Sequence, residues 1–309
     1  MFVAVAEELN FTRAAERLSI AQPPLSQHIR RLEAELGVQL FSRTSRKVEL
    51  TAPGHQLLRG ARELLGKRAE VINLTRRAAR GEVGVLRLSV GSSSAFGVVA
   101  EVLRAFGAAY PAVSVQLDER DTKQIISALT AGELDVAILR GPFSHRDLAV
   151  ELLLREPLEV VIPSDHRLAG EKEVRLPEFA GEPMIMFPRQ GAPGLHDTIT
   201  SLCVAAGFSP QIRQEAQSWA SVVGLVGAGL GVTIAPASAA LIKSHSVVFR
   251  KIAHIYGNAE LVLVYRPESI PASGEHLMTV AKQVLTSWAK PDDVRLVPAG
   301  RTNRIPPLD

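Results

Sequence analysis

The stretch Phe11–Gly37, FTRAAERLSIAQPPLSQHIRRLEAELG, limits what this chain can fold into more than any other. It predicts two short helices separated by Ser19-Ile20-Ala21, which is long enough only for a sharp corner. Thr12 is placed to cap the first helix, since its hydroxyl can accept from a free N–H of the opening turn. Ala14, Ala15 and Leu18 make that helix's inner face. Pro23 and Pro24 suit the first turn of the second helix, where N–H groups lack partners anyway. Leu25, Ile29, Leu32 and Leu36 then recur at spacings of four, three and four, which places them on one stripe. Gly37 is suited to end the helix.

That arrangement leaves Gln22, Ser26, Gln27, Arg30 and Arg31 facing outward near a helix N-terminus, where donors, acceptors and the helix dipole suit base edges and phosphates. Pro23 lies among them in the same first turn. The pattern is that of a helix-turn-helix whose second helix enters the major groove of DNA. Taken alone, the stretch also fits a helical hairpin with a solvated polar face. His28 fits a DNA contact or packing equally. The next segment, Val38–Leu50 (VQLFSRTSRKVEL), reads as a short hairpin with Arg43, Arg46 and Lys47 about its tip, suited to gripping phosphates. Charge follows the same division. Residues 1–80 carry a net +6 and the remainder −3, so a basic head on a mildly acidic body points to a polyanion partner.

The segment AAERLSIAQPPLSQHIRRLEAELGVQLFSRTSRKVELTAPG resembles the winged helix-turn-helix of LysR-type transcriptional regulators nearly residue for residue. RAFGAAYPAVSVQL, LTAGELDVAIL, LCVAAGF and GLVGAGLGVTIAPASAA resemble that family's effector-binding half, so the likeness runs from about Met1 to Lys290. In the family the first helix usually begins several residues earlier, which leaves the helix predicted over Met1–Leu9, with Phe2, Val5, Ala6 and Leu9 inward, the least secured. The resemblance implies groove contacts from Gln22, Ser26, Gln27 and Arg30, and phosphate contacts from Arg31, Arg43, Arg46 and Lys47. The family often has arginine where this chain has Gln27, and glutamine favours adenine where arginine favours guanine.

The expected fold class is α/β: a winged helix-turn-helix (1–51), a linker helix (52–82) and a two-lobe domain like a periplasmic binding protein (83–290). Thr51 and Pro53 open the linker helix. Leu57, Ala61, Leu64, Arg68, Val71 and Thr75 approximate a heptad seam, with Leu58, Leu65 and Ile72 beside it. Its partner is expected to be a second copy, giving a homodimer with two reading heads; packing against its own body is the alternative. By family likeness two dimers form a homotetramer, and RNA polymerase is a further candidate partner. From Val85 onward strands alternate with helices, which indicates a parallel sheet with crossovers. Crossings near Val161 and Arg266 would separate lobe I (83–160 and 267–290) from lobe II (161–266), with strands expected at Leu158–Pro163 and Glu260–Tyr265. Residues 291–309 hold four prolines and no periodicity, and are expected to be a mobile tail.

Between the lobes the expected ligand is a small organic acid. Ser92, Ser93 and Ser94 lie between a strand and a helix N-terminus, Thr122 opens the next helix, and Arg140 follows a strand end where it could bind a carboxylate bidentately. Helix capping for the serines and Thr122, and a surface ion pair for Arg140, are the plain alternatives. Phe187 would face the same cleft or pack in the core. Thr122 and Arg140 resemble the branch of the family that controls aromatic-compound breakdown through muconate- or benzoate-like acids.

Other functions find little support. GAGLG at Gly227–Gly231 mimics a dinucleotide loop, but a helix precedes it and a strand follows, the reverse of what that chemistry needs. No GxSxG elbow or GxxxxGK[ST] loop occurs, and the histidines lack metal-ligand spacing. No enzyme activity, cofactor or metal is therefore expected. Cys203, the single cysteine, excludes an intrachain disulfide and fits a reducing compartment. Glu7 and Glu8 stand where an export signal needs cations, so the expected location is cytoplasmic. The uncharged run Gln217–Ile242 is long enough to span a bilayer, yet its glycines and Pro236 indicate turns instead. A solute-binding transport protein shares the two-lobe body, but calls for an export signal and no basic head.

Overall fold

The structure, a computed structural model, describes residues 1–43, 47–94, 97–254 and 257–288. The chain divides into two units, Met1–Arg77 and Ala78–Asp309. In the first, α1 (Phe2–Glu8), α2 (Phe11–Arg17) and α3 (Gln22–Leu36) precede a hairpin of β1 (Phe41–Arg43) and β2 (Val48–Leu50), and α4 (Ala52–Ala79) follows. Phe2, Val5, Ala14, Ala15, Leu25, Ile29, Leu40 and Phe41 form one core. The Phe41 ring meets Phe2 at 5.4 Å and Phe11 at 5.9 Å between centroids, which ties the hairpin to the helices.

Three expectations change here. Asn10, not Thr12, caps α2, because Asn10 Oδ1 accepts from the backbone N–H of both Thr12 and Arg13. Leu9 is exposed, since it ends α1 with a left-handed φ of 46°. Leu36 also lies outside the core, in the last turn before Gly37 leaves the helix with φ 67°. Residues 44–46 at the hairpin tip, Arg46 included, lie outside the described residues. Thr51 opens α4 as expected, its hydroxyl accepting from Gly54 N at 3.1 Å and donating to Gln39 O at 2.7 Å. Farther along α4, Leu64, Leu65, Val71 and Leu74 are exposed, Leu64 at 74%. The seam read from the sequence is therefore uncovered within one chain from Leu64 on, whereas Leu57, Leu58 and Ala61 pack on the head's core.

The second unit contains β3 (Gly84–Gly91), α5 (Val98–Ala109), β4 (Val113–Arg120), α6 (Thr122–Ala131), β5 (Val136–Gly141) and β6 (Ala149–Pro163). Next come β7 (Glu173–Val174), β8 (Pro183–Met186), α7 (Pro193–Ala205), β9 (Gln211–Glu215), α8 (Trp219–Gly227), β10 (Thr233–Pro236), β11 (Val247–Ile252), β12 (Asn258–Tyr265) and α9 (Ala272–Trp288). β3 runs parallel to β4 and β5, as crossover helices require. The sheet is nevertheless mixed, because β12 adds antiparallel to β5 and β6 antiparallel to β12. β6 is one continuous 15-residue strand. Its first part pairs with β12 in lobe I, and its end, from Leu158, pairs with β10 and β11 in lobe II.

The sequence reading caught only Leu158–Pro163 of β6, because Glu151, Arg155 and Glu156 break its apolar pattern. It missed β7 and β11. The return crossing also moves: β12 pairs with β5 from Glu260 to Tyr265, so these residues belong to the lobe I sheet, ahead of residue 267. In lobe II, β8 pairs parallel with β9 and bridges to Val232, over a core that includes Ile185, Trp219, Val222 and Ile234. The uncharged run resolves into α8, a turn and β10, and among the described residues no helix is long and apolar enough to cross a membrane. The tail 291–309 lies outside the described residues.

Candidate nucleic-acid interface and interlobe cleft

On α3 the side chains of Gln22, Pro23, Gln27, His28 and Arg30 are exposed and Ser26 is half-buried, while Leu25 and Ile29 are fully covered. The buried pair locks the helix axis and so aims the polar face outward. Gln22 Nε2 donates to Ser26 Oγ at 2.9 Å, which orders the first turn. Arg31 pairs with Glu35 at 2.9 Å, one turn on. Such an exposed pair contributes little to stability.

Arg43 is held differently. Its guanidinium sits 4.7 Å above the Phe11 ring and bonds Glu33 Oε2 at 3.2 Å. Glu33 Oε1 in turn accepts from Leu40 N at 2.9 Å and Phe41 N at 3.1 Å. Glu33 thus joins the recognition helix, the entry to the wing and Arg43. Arg43 remains exposed while it makes these contacts. Lys47 is exposed beside Glu49 at 3.1 Å.

In the second unit, a cavity of about 560 Å³ opens between the lobes, lined from lobe I by Ser92, Glu119, Arg120 and Gln124 and from lobe II by Phe187, Gln190 and Ser218. Strand β3 ends into Ser92, and α6 and α8 both start at the cavity, which is why their caps line it. Asp121 caps α6 through Gln124 N at 2.8 Å, and Ser218 caps α8 through Ser221 N at 3.1 Å.

The other expected residues sit around this space, not all within it. Thr122 is buried and its hydroxyl donates across the cleft to Gly191 O at 2.9 Å. Arg140 is buried against Glu156, at 2.6 Å. It also donates to Ser238 Oγ at 3.2 Å and to Ser93 O at 3.3 Å. The Ser93 carbonyl takes a further bond from Trp219 Nε1 at 3.0 Å. Phe187 packs edge-on to Trp219 at 4.7 Å while lining the cavity. Ser93 and Ser94 are buried. Arg140 is thus neither a surface ion pair nor an open anchor, but the centre of a buried network whose members come from both lobes. Glu156, Ser238, Trp219 and Gly191 were missed in the sequence. The one available signal was Glu156, a carboxylate within an otherwise apolar strand.

The GAGLG run has a packing explanation. Gly231 lies against β8, where a Cβ would fall 2.3 Å from Pro183 O. Among the described residues no cluster of three or more His, Cys, Asp or Glu side chains is placed to hold a metal. Cys203 is fully buried, and burial pushes its thiol up from 9.0 to about 11. The neutral thiol is therefore the form the fold prefers, so this contribution to stability is lost as pH rises from about 9 towards 11. At pH 8 a thiol reagent such as DTNB is expected to react only at the rate of unfolding, and in one step in denaturant. Rapid reaction of the native protein would contradict this burial.

Two family models match. Residues 1–55 fit the bacterial regulatory helix-turn-helix protein of the LysR family, and residues 79–286 fit the LysR substrate binding domain. The chain belongs to the LysR family of transcriptional regulators. Among LysR-type relatives, it is 37% identical to the HTH-type transcriptional regulator AlsR of Bacillus subtilis over 87% of this chain and 89% of AlsR. It is 40% identical to the HTH-type transcriptional regulator YnfL of Escherichia coli over 85% of this chain and 89% of YnfL. Among solved structures, the LysR regulator CbnR matches with TM-score 0.81 at 29% identity, covering 91% of this chain and 97% of that one. Full-length CbnR complexed with its target DNA matches with TM-score 0.79 at 28% identity, covering 92% and 97%. This LysR protein is thus a DNA-binding transcriptional regulator with an effector-binding domain.

Proposed function

We propose that this regulator reads an interrupted inverted repeat as a homodimer joined along α4, and that a small carboxylate-bearing effector between the lobes changes how it engages DNA. The observation that carries the reading is the exposed polar face of α3 beside an uncovered apolar seam on α4. Two copies paired along that seam present two recognition helices to one duplex. Gln22, Pro23, Ser26, Gln27 and Arg30 face the groove, and Arg31, Arg43, Arg46 and Lys47 the phosphates. Two dimers form a tetramer, RNA polymerase is a candidate partner at the promoter, and the protein acts in the cytoplasm with no catalytic activity of its own. An effector shifts the assembly only to the extent that it binds one arrangement better than the other.

Binding is tested by fluorescence anisotropy on duplexes from the promoter region upstream of its own gene, at several salt concentrations. Replacing Gln27 or Arg30 with alanine is expected to relax discrimination between bases by about 1–3 kcal/mol. Lys47→Ala is expected to weaken all sequences alike and reduce the salt slope by about 1. A Lys47→Ala variant with altered base preference and an unchanged slope would refute the placement of the wing. A monomer that binds every duplex equally weakly would refute the whole reading.

A further inference from the structure

The charges around the interlobe cavity do not match a purely anionic ligand. Three arginines stand on or near it, and each already has a carboxylate partner. Arg120 bonds Asp118 at 2.7 Å, Arg140 bonds Glu156 at 2.6 Å, and Arg189 bonds Asp197 at 2.7 Å. Of the two carboxylates lining the cavity, Asp121 is engaged in capping α6. Glu119 is different: it is exposed to the cavity and has no hydrogen-bond or ion-pair partner among the described residues. The unmatched charge in the cavity is therefore negative. From lobe II the same cavity is lined by Gln217, Ser218 and Ser221 at the start of α8. Ser218 Oγ accepts from Ser221 N–H and shares a hydrogen bond with Ser221 Oγ. This leaves the remaining hydroxyl valence, the Gln217 amide and the other first-turn N–H groups to meet a single carboxylate rather than a full cation.

We infer that the ligand of this cavity is an amino acid, its ammonium held by Glu119 of lobe I and its carboxylate by the α8 start of lobe II. A zwitterion satisfies both walls at once, whereas a dicarboxylate of the muconate kind brings two negative charges to a space whose one lining cation among the described residues, Arg120, is already paired with Asp118. Phe187, which also lines the cavity, gives the side chain an apolar surface. A ligand touching Glu119 and Ser218 together spans both lobes, so its binding favours whichever lobe spacing fits its length.

This inference rests on the reading of the cavity as the effector site. The test is thermal shift followed by calorimetry on the full chain, with each of the twenty common amino acids. Any amino acid that binds is compared with its des-amino acid and its decarboxylated amine. The expected result is stabilisation by one amino acid or a few similar ones, with both analogues weaker. Glu119→Gln is expected to weaken the amino acid by about tenfold to a hundredfold, the loss of one charge-assisted hydrogen bond. It should leave the ligand-free melting temperature unchanged, because Glu119 holds nothing in the fold. If the des-amino acid binds as tightly as the amino acid, and Glu119→Gln changes neither, the inference is overturned while a carboxylate effector stands. If neither amino acids nor simple organic acids stabilise the protein, the effector reading falls with it.

Discussion

Leu64→Arg combined with Val71→Arg in α4 is expected to convert the regulator to monomers and to weaken operator binding by about a hundredfold or more. Both side chains are exposed in the single chain, Leu64 at 74% and Val71 at 51%. Each buried apolar side chain of this size contributes about 1.5–3 kcal/mol to an interface. Arginine, in contrast, is a good helix former and is at home in water. The substitutions therefore leave the helix intact, and circular dichroism should match the parent. In the proposed homodimer, what they remove is the linkage between two heads. A second head tethered nearby binds as an intramolecular event, and cutting the tether returns each half-site to its own weak affinity. Sedimentation measures the mass, and anisotropy on one- and two-half-site duplexes measures the affinity. The two duplexes should become equivalent for the variant. A dimer of normal mass after both substitutions would show that the seam is elsewhere.

The second large effect concerns the buried pair. Glu156→Ala leaves the Arg140 guanidinium, which is 4% exposed, without its carboxylate. Removing one partner of a buried pair costs about 3–5 kcal/mol, because the charge left behind is neither solvated nor matched. For a domain of this size that lowers the unfolding midpoint by on the order of 10 °C. Replacing both, Arg140→Met with Glu156→Leu, is expected to recover most of the loss, since an apolar pair of similar volume suits the same space. Recovery stays incomplete because Ser238 N–H and Ser93 O lose partners of their own. Scanning calorimetry separates the cases. Equal destabilisation in the single and double variants would mean that volume, not the unmatched charge, sets the cost.

The head was almost wholly legible before any coordinates. Pro23, Pro24 and Gly37 mark the limits of α3, and the stripe of Leu25 and Ile29 states which side is buried, so the exposed face follows by subtraction. Thr12 was misjudged because two adjacent residues, Asn10 and Thr12, both suit a cap, and only the backbone decides which one precedes the first turn. In the second unit the alternation of strands and helices was equally readable. The strand order was not, since β6 and β12 belong together through pairing between residues about a hundred positions apart. Glu119 was passed over because a lone carboxylate on a strand has no pattern. It gains meaning only beside Arg120, whose charge is already matched by Asp118.

Helix limits, the basic head and the apolar seam of α4 were determined by the sequence itself, because each is a local periodicity or a local excess of charge. The tertiary structure alone decided where the charges end. Arg140 on β5 pairs across from Leu261 and Glu156 on β6 across from Ala259, so the two charged residues meet only because β12 lies between their strands. Arg43, though exposed, is likewise positioned by Glu33 and Phe11, which converge beneath it only in the fold. A charge removed from water must find a partner, and which partner stands within reach is a property of the folded arrangement, not of spacing along the chain.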